Sequence, residues 1–499
     1  MRGSTRDQAP DRADLIAAVA LVALVLLFRL PFHSIAVLTV DESAYMLVAR
    51  DLLGGIWPGG GNFDHKPVAT YYHYAAAMAL GGPDPSSIRW LTTLSALATA
   101  LTFFWILRRI LALGTAWALG LTACWVFIAF GLEGFSANTE MIVIAYVLGW
   151  IAAFLAFVGG TVRPLPTALL SGIAAGIAVQ INYLAGPLLA YLYLGALLLG
   201  PRQNVRWLLT SGVVSILVAL ALLVPLVVAG TLGAYLDIQM EFLRGYQGSP
   251  DRINWAEEIP PLKWQLAPLL ALAFIAALIA RQEKLVRTAA RIGAFAATGA
   301  ITVAFASVHL FAHYFHLALP GLFLVAASAI ASAREAKRRL LTTALVLTAI
   351  PGFALAAGEL DRGYGPVSAA RLEADPELDR NRAVAQRFSA HVEPGSTGYV
   401  VCDQPVLYLL LDLRDLTDYP FWILHVYEWL DRVEPEREVA AIRAQRPRWL
   451  IDGRSCPDTA RQMIEAQFGD YEKVDEYLGA TLYRAPAATA PAPPPPRLQ

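Results

Sequence analysis

Two short groups of ionisable residues lie near each other early in the chain. Asp41 and Glu42 are adjacent carboxylates, and Asp64, His65 and Lys66 place an acid, an imidazole and an amine side by side. A carboxylate of the first group could accept a proton as a general base, bind a divalent cation together with a histidine, or simply cap a helix. The Lys66 ammonium suits a phosphate oxygen, although a lysine in a solvated turn or one reaching lipid headgroups would look the same. We interpret the stretch that holds both groups as the candidate site.

Later segments add further candidates, each with a purely structural alternative. Glu140 follows Ser-Ala-Asn-Thr at the edge of an apolar run, where an ionisable group indicates function or a favourable first-turn acid. His313 and Tyr314 lie in HLFAHYFHLALP; the imidazole could bind metal or phosphate, or the segment could be an aromatic interface belt. Arg244 and Arg252 could contact phosphate or belong to a solvated connection.

Composition indicates that these residues are positioned by a membrane scaffold. Of 499 residues, 57% are hydrophobic and only 16% are charged, whereas soluble domains carry about 25% charged residues. The three cysteines include no C-x-x-C pair, which argues against a zinc ribbon or dithiol redox site. No small-residue cleavage site follows the first apolar run, so we expect a retained first span and not a signal peptide.

A span needs about 20 mostly apolar residues, and the sequence offers eleven candidates. The fifth and sixth meet at a short turn and could be one broken hairpin. The candidates are 13–32, 86–107, 113–131, 139–159, 165–182, 184–200, 207–230, 264–280, 292–309, 316–333 and 340–358.

The distribution of basic residues gives this list an orientation. With residues 1–12 in the cytoplasm, every short loop on that side is basic, as the positive-inside rule expects. The opposite side holds residues 33–85 and everything after 359. All the candidate chemistry then faces the non-cytoplasmic side. Within the first outer loop, Glu42 to Leu53 and Val68 to Leu80 are amphipathic and predict two helices in the interface plane.

Residues 359–485 predict a small α/β domain outside the membrane. Strands are expected in 396–411, 448–452 and 480–484, and helices in 435–446 and 459–467. Cys402 and Cys456 could pair in an oxidising compartment, or remain two buried thiols. The proline-rich residues 486–499 predict a disordered tail.

These pieces resemble the GT-C fold glycosyltransferases that use polyprenyl-phosphate sugars. This group contains protein O-mannosyltransferases and aminoarabinose- or galacturonic-acid-to-lipopolysaccharide transferases. The resemblance covers about residues 13–330 and is carried by DESAYMLVARDLLGG, FDHKPVATYYHYAAAMALGG, SIRW, SANTE and HLFAHYFHLALPG, in this order and topology.

The resemblance implies a fold, a reaction and a location. The fold would be an all-α polytopic membrane protein of about eleven spans, with the C-terminal α/β domain in the periplasm. The enzyme would transfer a hexosyl or pentosyl group, with inversion, from a polyprenyl phosphate to a periplasmic acceptor in the cell envelope. In a bacterial inner membrane the donor lipid would be undecaprenyl phosphate, and the acceptor a lipid such as lipopolysaccharide, a glycan or a protein. No nucleic acid is implied, and a divalent metal is the one cofactor that the resemblance admits.

Roles follow residue by residue from the same resemblance. Asp41 matches the essential first-loop acid, with Glu42 beside it, and Glu140 matches the second acidic position. Lys66 matches the lysine on the donor phosphate, and His313 the late outer-loop histidine, next to Tyr314. Asp64 and His65 fall beside the family's metal or phosphate contact, so Asp64, His65 and His313 are the candidate metal ligands.

The chain departs from the family pattern at two places. Val68 follows Lys66-Pro67 where a second proline is frequent, and Asn182 stands where a basic residue is common. One phosphate contact is therefore missing, and Arg244 or Arg252 would have to supply it.

Two other functions fit part of the pattern. A transporter or flippase of lipid-linked sugars would share the basic, aromatic outer loop, but it should show mid-span charges and repeated halves, and the sequence has no clear repeat. An oligosaccharide ligase or polymerase is not excluded by the sequence.

Overall fold

The computed structural model describes most of the chain in thirteen segments. Among the residues predicted above, the span 264–280, Arg252, Cys456 and the tail from 487 onward lie outside the described residues. The described segments are 11–30, 33, 39–61, 64–128, 136–199, 203–248, 284–307, 312–333, 335–347, 376–403, 405–416, 435–453 and 458–486.

Helices form the first part of the chain, up to residue 347. They are α1 (Arg12–Arg29), α2 (Val40–Leu53), α3 (Val68–Gly81), α4 (Ser86–Arg108), α5 (Leu113–Ile128), α6 (Thr139–Val158), α7 (Pro164–Val179), α8 (Ala185–Leu199), α9 (Gln203–Ala221), α10 (Val224–Ala229), α11 (Leu232–Gly248), α12 (Lys284–Ala306), a 3₁₀ helix (Ala312–Ala318), α13 (Leu319–Ser332) and α14 (Glu335–Leu347).

Five helical segments among the described residues are long and apolar enough to cross a membrane. Each of these segments overlaps a predicted span. The span predicted at 207–230 is divided into α9 and α10, because Pro225 cannot donate a backbone hydrogen bond. Arg287 and Lys337, which fall between the predicted spans, lie inside α12 and α14. The five segments are Ser86–Arg108, Thr139–Val158, Asn204–Ala229, Lys284–Ala306 and His313–Ser332.

Small residues bring α7 and α9 into close contact. A Cβ added to Gly172 would lie 2.6 Å from the Ser211 carbonyl oxygen, and one added to Gly176 would lie 2.6 Å from the Ser215 carbonyl oxygen. Glycine at this spacing lets helix backbones approach within a membrane. This packing fixes the end of α7, directly before the turn that carries Asn182.

The two predicted interface helices are present as α2 and α3, but α2 is enclosed. Its residues from Glu42 to Ala49 are all buried. Most of them pack into the core of the helical part, whereas Leu47 packs into the core of the C-terminal domain. The prediction of helices in this loop is confirmed, and protein covers both sides of α2 between Glu42 and Ala49.

The C-terminal domain is a five-stranded sheet with helices, as predicted. Its order is β2-β1-β3-β5-β4; β1 is parallel to β2 and β3, and β5 is antiparallel to β3 and β4. The elements are α15 (Pro376–Phe388), β1 (Thr397–Val401), α16 (Val406–Leu410), β2 (Arg414–Asp415), α17 (Pro435–Ala444), β3 (Trp449–Asp452), α18 (Asp458–Phe468), β4 (Glu472–Tyr477) and β5 (Ala480–Arg484).

The strand predicted over 396–411 is too long. It ends at Val401, because Cys402 adopts a left-handed backbone with φ 57°, and the apolar run that follows is the helix α16. Cys402 is disulfide-bonded, which favours the oxidised alternative for this cysteine. The helix α15 and the strands β2 and β4 were not predicted; the polar, weakly alternating sequence of β4 carries little strand signal.

Direct contacts join the C-terminal domain to the first loop. Arg50 of α2 lies 3.1 Å from the Asp415 carboxylate and donates to the Leu413 carbonyl oxygen. Arg382 makes a bidentate ion pair with Asp84, between α3 and α4, at 2.8 and 3.0 Å. The domain therefore lies on the same side of the helical part as the predicted site.

Candidate functional site

Tyr45 stands between the first acid and the lysine of the predicted site. It follows Asp41 by one turn of α2, and its hydroxyl donates to Asp41 Oδ2 at 3.0 Å. Lys66 Nζ lies 5.9 Å from the centroid of the Tyr45 ring. Within the described segments neither Asp41 nor Lys66 forms an ion pair, and both are half-buried. The two charges that could act on an anion and on an acceptor group therefore both lie near Tyr45.

Glu42 makes different contacts from the adjacent carboxylate of Asp41. It is fully buried, and its two oxygens lie 2.5 and 2.9 Å from the guanidinium nitrogens of Arg89 in α4. The Ala137 backbone N–H donates to Oε1, and the Thr39 N–H lies 3.4 Å from Oε2. Glu42 therefore fastens α2 to α4 and to the segment before α6, and its oxygens are occupied by these donors.

Glu140 is a buried carboxylate held by neutral donors. Asn182 Nδ2 donates to Glu140 Oε1 at 2.7 Å, and Thr139 Oγ1 donates to Oε2 at 3.2 Å. Asn182 also donates to Thr139 Oγ1 at 2.7 Å. Asn182, which stands where a basic side chain was expected, therefore donates a hydrogen bond to Glu140. Within the described residues Glu140 forms no ion pair.

The segment Asp64 to Lys66 is tied to the start of α3. The Tyr71 hydroxyl donates to Asp64 Oδ2 at 2.7 Å and accepts the Lys66 backbone N–H at 3.0 Å. His65 Nδ1 lies 3.1 Å from Asp64 Oδ1, and the Phe242 ring stacks on the imidazole with centroids 3.5 Å apart. All five residues belong to one local assembly.

Helix α11 supports this segment from the other side. Gln239 Nε2 lies 3.4 Å from the carbonyl oxygens of Asp64 and Lys66, and its Oε1 accepts the Tyr183 hydroxyl. Gly59 lets α11 approach, since a Cβ there would lie 2.8 Å from the Tyr235 backbone nitrogen. The sequence did not predict a role for Gln239, because a single glutamine in a helix belongs to no recognisable motif.

Burial and nearby charges set the protonation states in the first loop. Burial raises the pKa of Asp64, but His65, Lys66 and the Tyr71 hydroxyl together outweigh it and hold that pKa below its ordinary value. Burial lowers the pKa of His65 more than Asp64 raises it. Burial, followed by the Asp41 charge, raises the pKa of Tyr45 well above its usual value. At neutral pH the site therefore holds an ionised Asp64, a neutral imidazole and a protonated Tyr45 that donates to Asp41.

The remaining predicted residues lie apart or outside these contacts. His313 and Tyr314 pack edge to face in the 3₁₀ helix, with centroids 4.9 Å apart. Arg244 is exposed on α11. In the described part of the chain no three His, Cys, Asp or Glu side chains form a group that could hold a metal ion, so Asp64, His65 and His313 do not assemble there as a three-ligand set.

Comparison with solved structures identifies the fold. ArnT from Cupriavidus metallidurans, bound to undecaprenyl phosphate, superposes with a TM-score of 0.69 at 13% identity, over 97% of this chain and 100% of that chain. The chain has the GT-C glycosyltransferase fold. The apo state of the same ArnT gives a TM-score of 0.64 at 13% identity, over 93% of this GT-C chain and 97% of that chain.

A second protein shares the GT-C fold at lower similarity. The oligosaccharyltransferase of Archaeoglobus fulgidus, in its apo form, gives a TM-score of 0.55 at 12% identity, over 96% of this chain and 75% of that chain. No family model matches the sequence, and no curated protein matches it. The fold expected from the resemblance is thus confirmed, as a polytopic helical protein with a small sheet domain.

Proposed function

We propose that this GT-C protein is an inverting glycosyltransferase that moves a monosaccharide from a polyprenyl-phosphate donor to a periplasmic acceptor. The observation that carries the proposal is the pair Asp41 and Lys66, which both lie near Tyr45 and are free of ion pairs within the described residues. Structural similarity to ArnT, whose structure holds undecaprenyl phosphate, supports the choice of donor.

Lys66 would act on the leaving group. As the bond between the anomeric carbon and the phosphate oxygen breaks, negative charge grows on the polyprenyl phosphate, and a fixed ammonium stabilises it. The half-buried position of Lys66 strengthens that interaction relative to water. His65, His313, Tyr314, Arg244 and Arg252 are proposed as further phosphate contacts.

Asp41 would act on the acceptor. A hydroxyl acceptor attacks the anomeric carbon from the face opposite the phosphate, and its proton passes to the Asp41 carboxylate. Tyr45 orients that carboxylate through its 3.0 Å hydrogen bond. Glu140 is proposed as the second acid, whereas the contacts of Glu42 assign it a positioning role. An acceptor that attacks through an ionised phosphate would need no base.

We also infer that the site and the C-terminal domain face the periplasm from the inner membrane. The ion pairs of Arg50 and Arg382 join that domain to the first loop. The disulfide at Cys402 fits an oxidising compartment. The basic loops of the sequence put the N-terminus in the cytoplasm.

Transfer of label tests this proposal. Purified protein is incubated with radiolabelled polyprenyl-phosphate sugars and a membrane extract, and label should move from the donor lipid to an acceptor. Asp41→Asn should abolish transfer and Lys66→Met should weaken it strongly. Asp470→Asn, at an exposed ion pair with Arg443, is the matched control and should behave as wild type.

Three results would overturn the proposal. Undiminished transfer by Asp41→Asn would remove that residue from the chemistry. Movement of intact lipid-linked sugar across liposomes, without cleavage of the sugar–phosphate bond, would instead establish a transporter. Transfer of labelled oligosaccharides in preference to monosaccharides would indicate a ligase.

A further inference from the structure

The backbone of Lys66 is fixed by a hydroxyl that lies outside the proposed chemistry. Tyr71 is fully buried in the first turn of α3. Its oxygen accepts the Lys66 N–H at 3.0 Å while its proton goes to Asp64 Oδ2 at 2.7 Å. One hydroxyl therefore closes a ring that runs from Asp64 through Lys66 to α3.

This ring pairs the backbone N–H of Lys66, the residue directly before the N-cap proline of α3. Pro67 holds Lys66 in an extended conformation and also caps α3 with its own backbone at φ −60° and ψ 149°. The N-terminus of α3 thus has no side-chain cap from Pro67. The Tyr71 hydroxyl pairs the buried Lys66 N–H, which would be costly to leave unpaired.

The Asp64 end of the ring is equally constrained. The pKa of Asp64 lies below its ordinary value despite burial, with the Tyr71 hydroxyl among the causes after His65 and Lys66. An ionised carboxylate is the stronger acceptor for the tyrosine proton. The Gln239 amide and the stacked Phe242 hold the same segment from α11.

We propose that Tyr71 is a positioning residue that aims the Lys66 ammonium at the donor phosphate. The inference rests on the proposed function, in which Lys66 contacts that phosphate. The Lys66 side chain itself makes no ion pair in the described part of the chain, so its direction depends on its backbone and on the Tyr45 ring at 5.9 Å. Loss of the Tyr71 hydroxyl removes a constraint on the Lys66 backbone. The Lys66 ammonium then samples a wider range of positions.

Tyr71→Phe tests this role, with Tyr72→Phe as its matched control. Each variant removes one hydroxyl from adjacent residues of one helix, and the Tyr72 hydroxyl donates to the Leu222 carbonyl oxygen at 3.0 Å, away from Lys66. Because Tyr71→Phe removes both hydrogen bonds of this hydroxyl to the segment, it should raise the donor KM about tenfold. The acceptor KM should stay unchanged, and Tyr72→Phe should leave both constants at wild-type values.

A second measurement separates positioning from general destabilisation. Binding of unsugared polyprenyl phosphate should weaken by a similar factor in Tyr71→Phe when it is measured well below the variant's unfolding midpoint, where the protein remains folded despite the lost hydrogen bonds. In a Lys66→Met background, adding Tyr71→Phe should have no further effect on phosphate binding, since the ammonium is already gone.

The outcomes are distinguishable. Equal rises in donor and acceptor KM, or equal effects of the two phenylalanine variants, would overturn the positioning role. An additive loss in the Lys66→Met background would do the same. If the wild-type protein neither transfers sugar nor binds polyprenyl phosphate, the proposed function fails before Tyr71 is tested.

Discussion

The ion pair between Glu42 and Arg89 allows the sharpest test of how the site is held. Both side chains are buried, at 0% and 1% exposure, and they meet through two hydrogen bonds. The guanidinium of Arg29 is buried close by and interacts with both charges. Removing Glu42 would therefore leave two buried cations without this counter-charge.

The expected magnitude follows from burial. Breaking a buried pair by removing one partner costs about 3 to 5 kcal/mol, because an uncompensated charge remains. Glu42→Gln and Arg89→Met should each lower stability by roughly this amount. The double variant Glu42→Gln/Arg89→Met removes both charges and keeps an oxygen for the Ala137 N–H, so it should cost much less than the sum of the single changes.

The assay is a double-mutant cycle on thermal unfolding in detergent, combined with sugar transfer. The exposed pair Glu335 and Arg339 on α14 is the control, and its cycle should show no measurable coupling. Additive losses at Glu42 and Arg89 would refute the pairing argument. A double variant that regains stability but stays wholly inactive would show that Glu42 takes part in the chemistry and does not only position α2.

Three further perturbations probe the support of the site. The pKa of Asp84 is lowered, chiefly by hydrogen bonds from Arg382. Wild type should therefore be more stable than Asp84→Asn above pH 3.8, and this difference should disappear as the pH falls through the lowered pKa of Asp84. Unfolding midpoints measured against pH test this expectation. Arg50→Met should cost ~1 kcal/mol and speed hydrogen exchange in residues 405–416, and unchanged exchange would contradict the docking of α2 on the domain. Gly59 and Gly55 both have positive φ, +90° and +85°, but a Cβ on Gly59 would meet the Tyr235 nitrogen, whereas a Cβ on Gly55 would meet open space. Gly59→Ala should therefore lower the unfolding midpoint more than Gly55→Ala. Equal midpoints would contradict the close approach of α11 to Gly59.

The sequence predicted the helical scaffold well because apolar length is a strong signal. It also placed Asp41 and Lys66 in one loop, and in the structure Asp41 accepts a hydrogen bond from the Tyr45 hydroxyl while the Lys66 ammonium lies 5.9 Å from the centroid of the same ring. Residue types alone could not tell Asp41 from Glu42, since two adjacent carboxylates carry the same chemistry, and only the family resemblance singled out Asp41. The difference arises from Arg89 of α4, whose guanidinium makes two hydrogen bonds to the Glu42 carboxylate.

Enclosure of α2 was missed for a related reason. Its amphipathic pattern fits a helix at a lipid surface as well as one between two protein layers, because both present an apolar face to a non-aqueous partner. Leu47 enters the C-terminal core, a contact between segments more than 300 residues apart. Only the tertiary structure specifies which partner covers such a face.

The neutral residue at Asn182 then acquires a physical explanation. A basic side chain there would form an ion pair with Glu140 and neutralise it, whereas the Asn182 amide holds the carboxylate at 2.7 Å and leaves its charge intact. Because burying a carboxylate without a cation is costly, the position of Glu140 in the first turn of α6, where the helix dipole favours an anion, compensates part of that cost. In the proposed reaction Lys66 supplies the positive charge for the donor, and within the described residues neither Asp41 nor Glu140 is paired with a cation. This separation is what a hydroxyl-activating transfer requires, since a carboxylate already paired with a cation is a weaker proton acceptor.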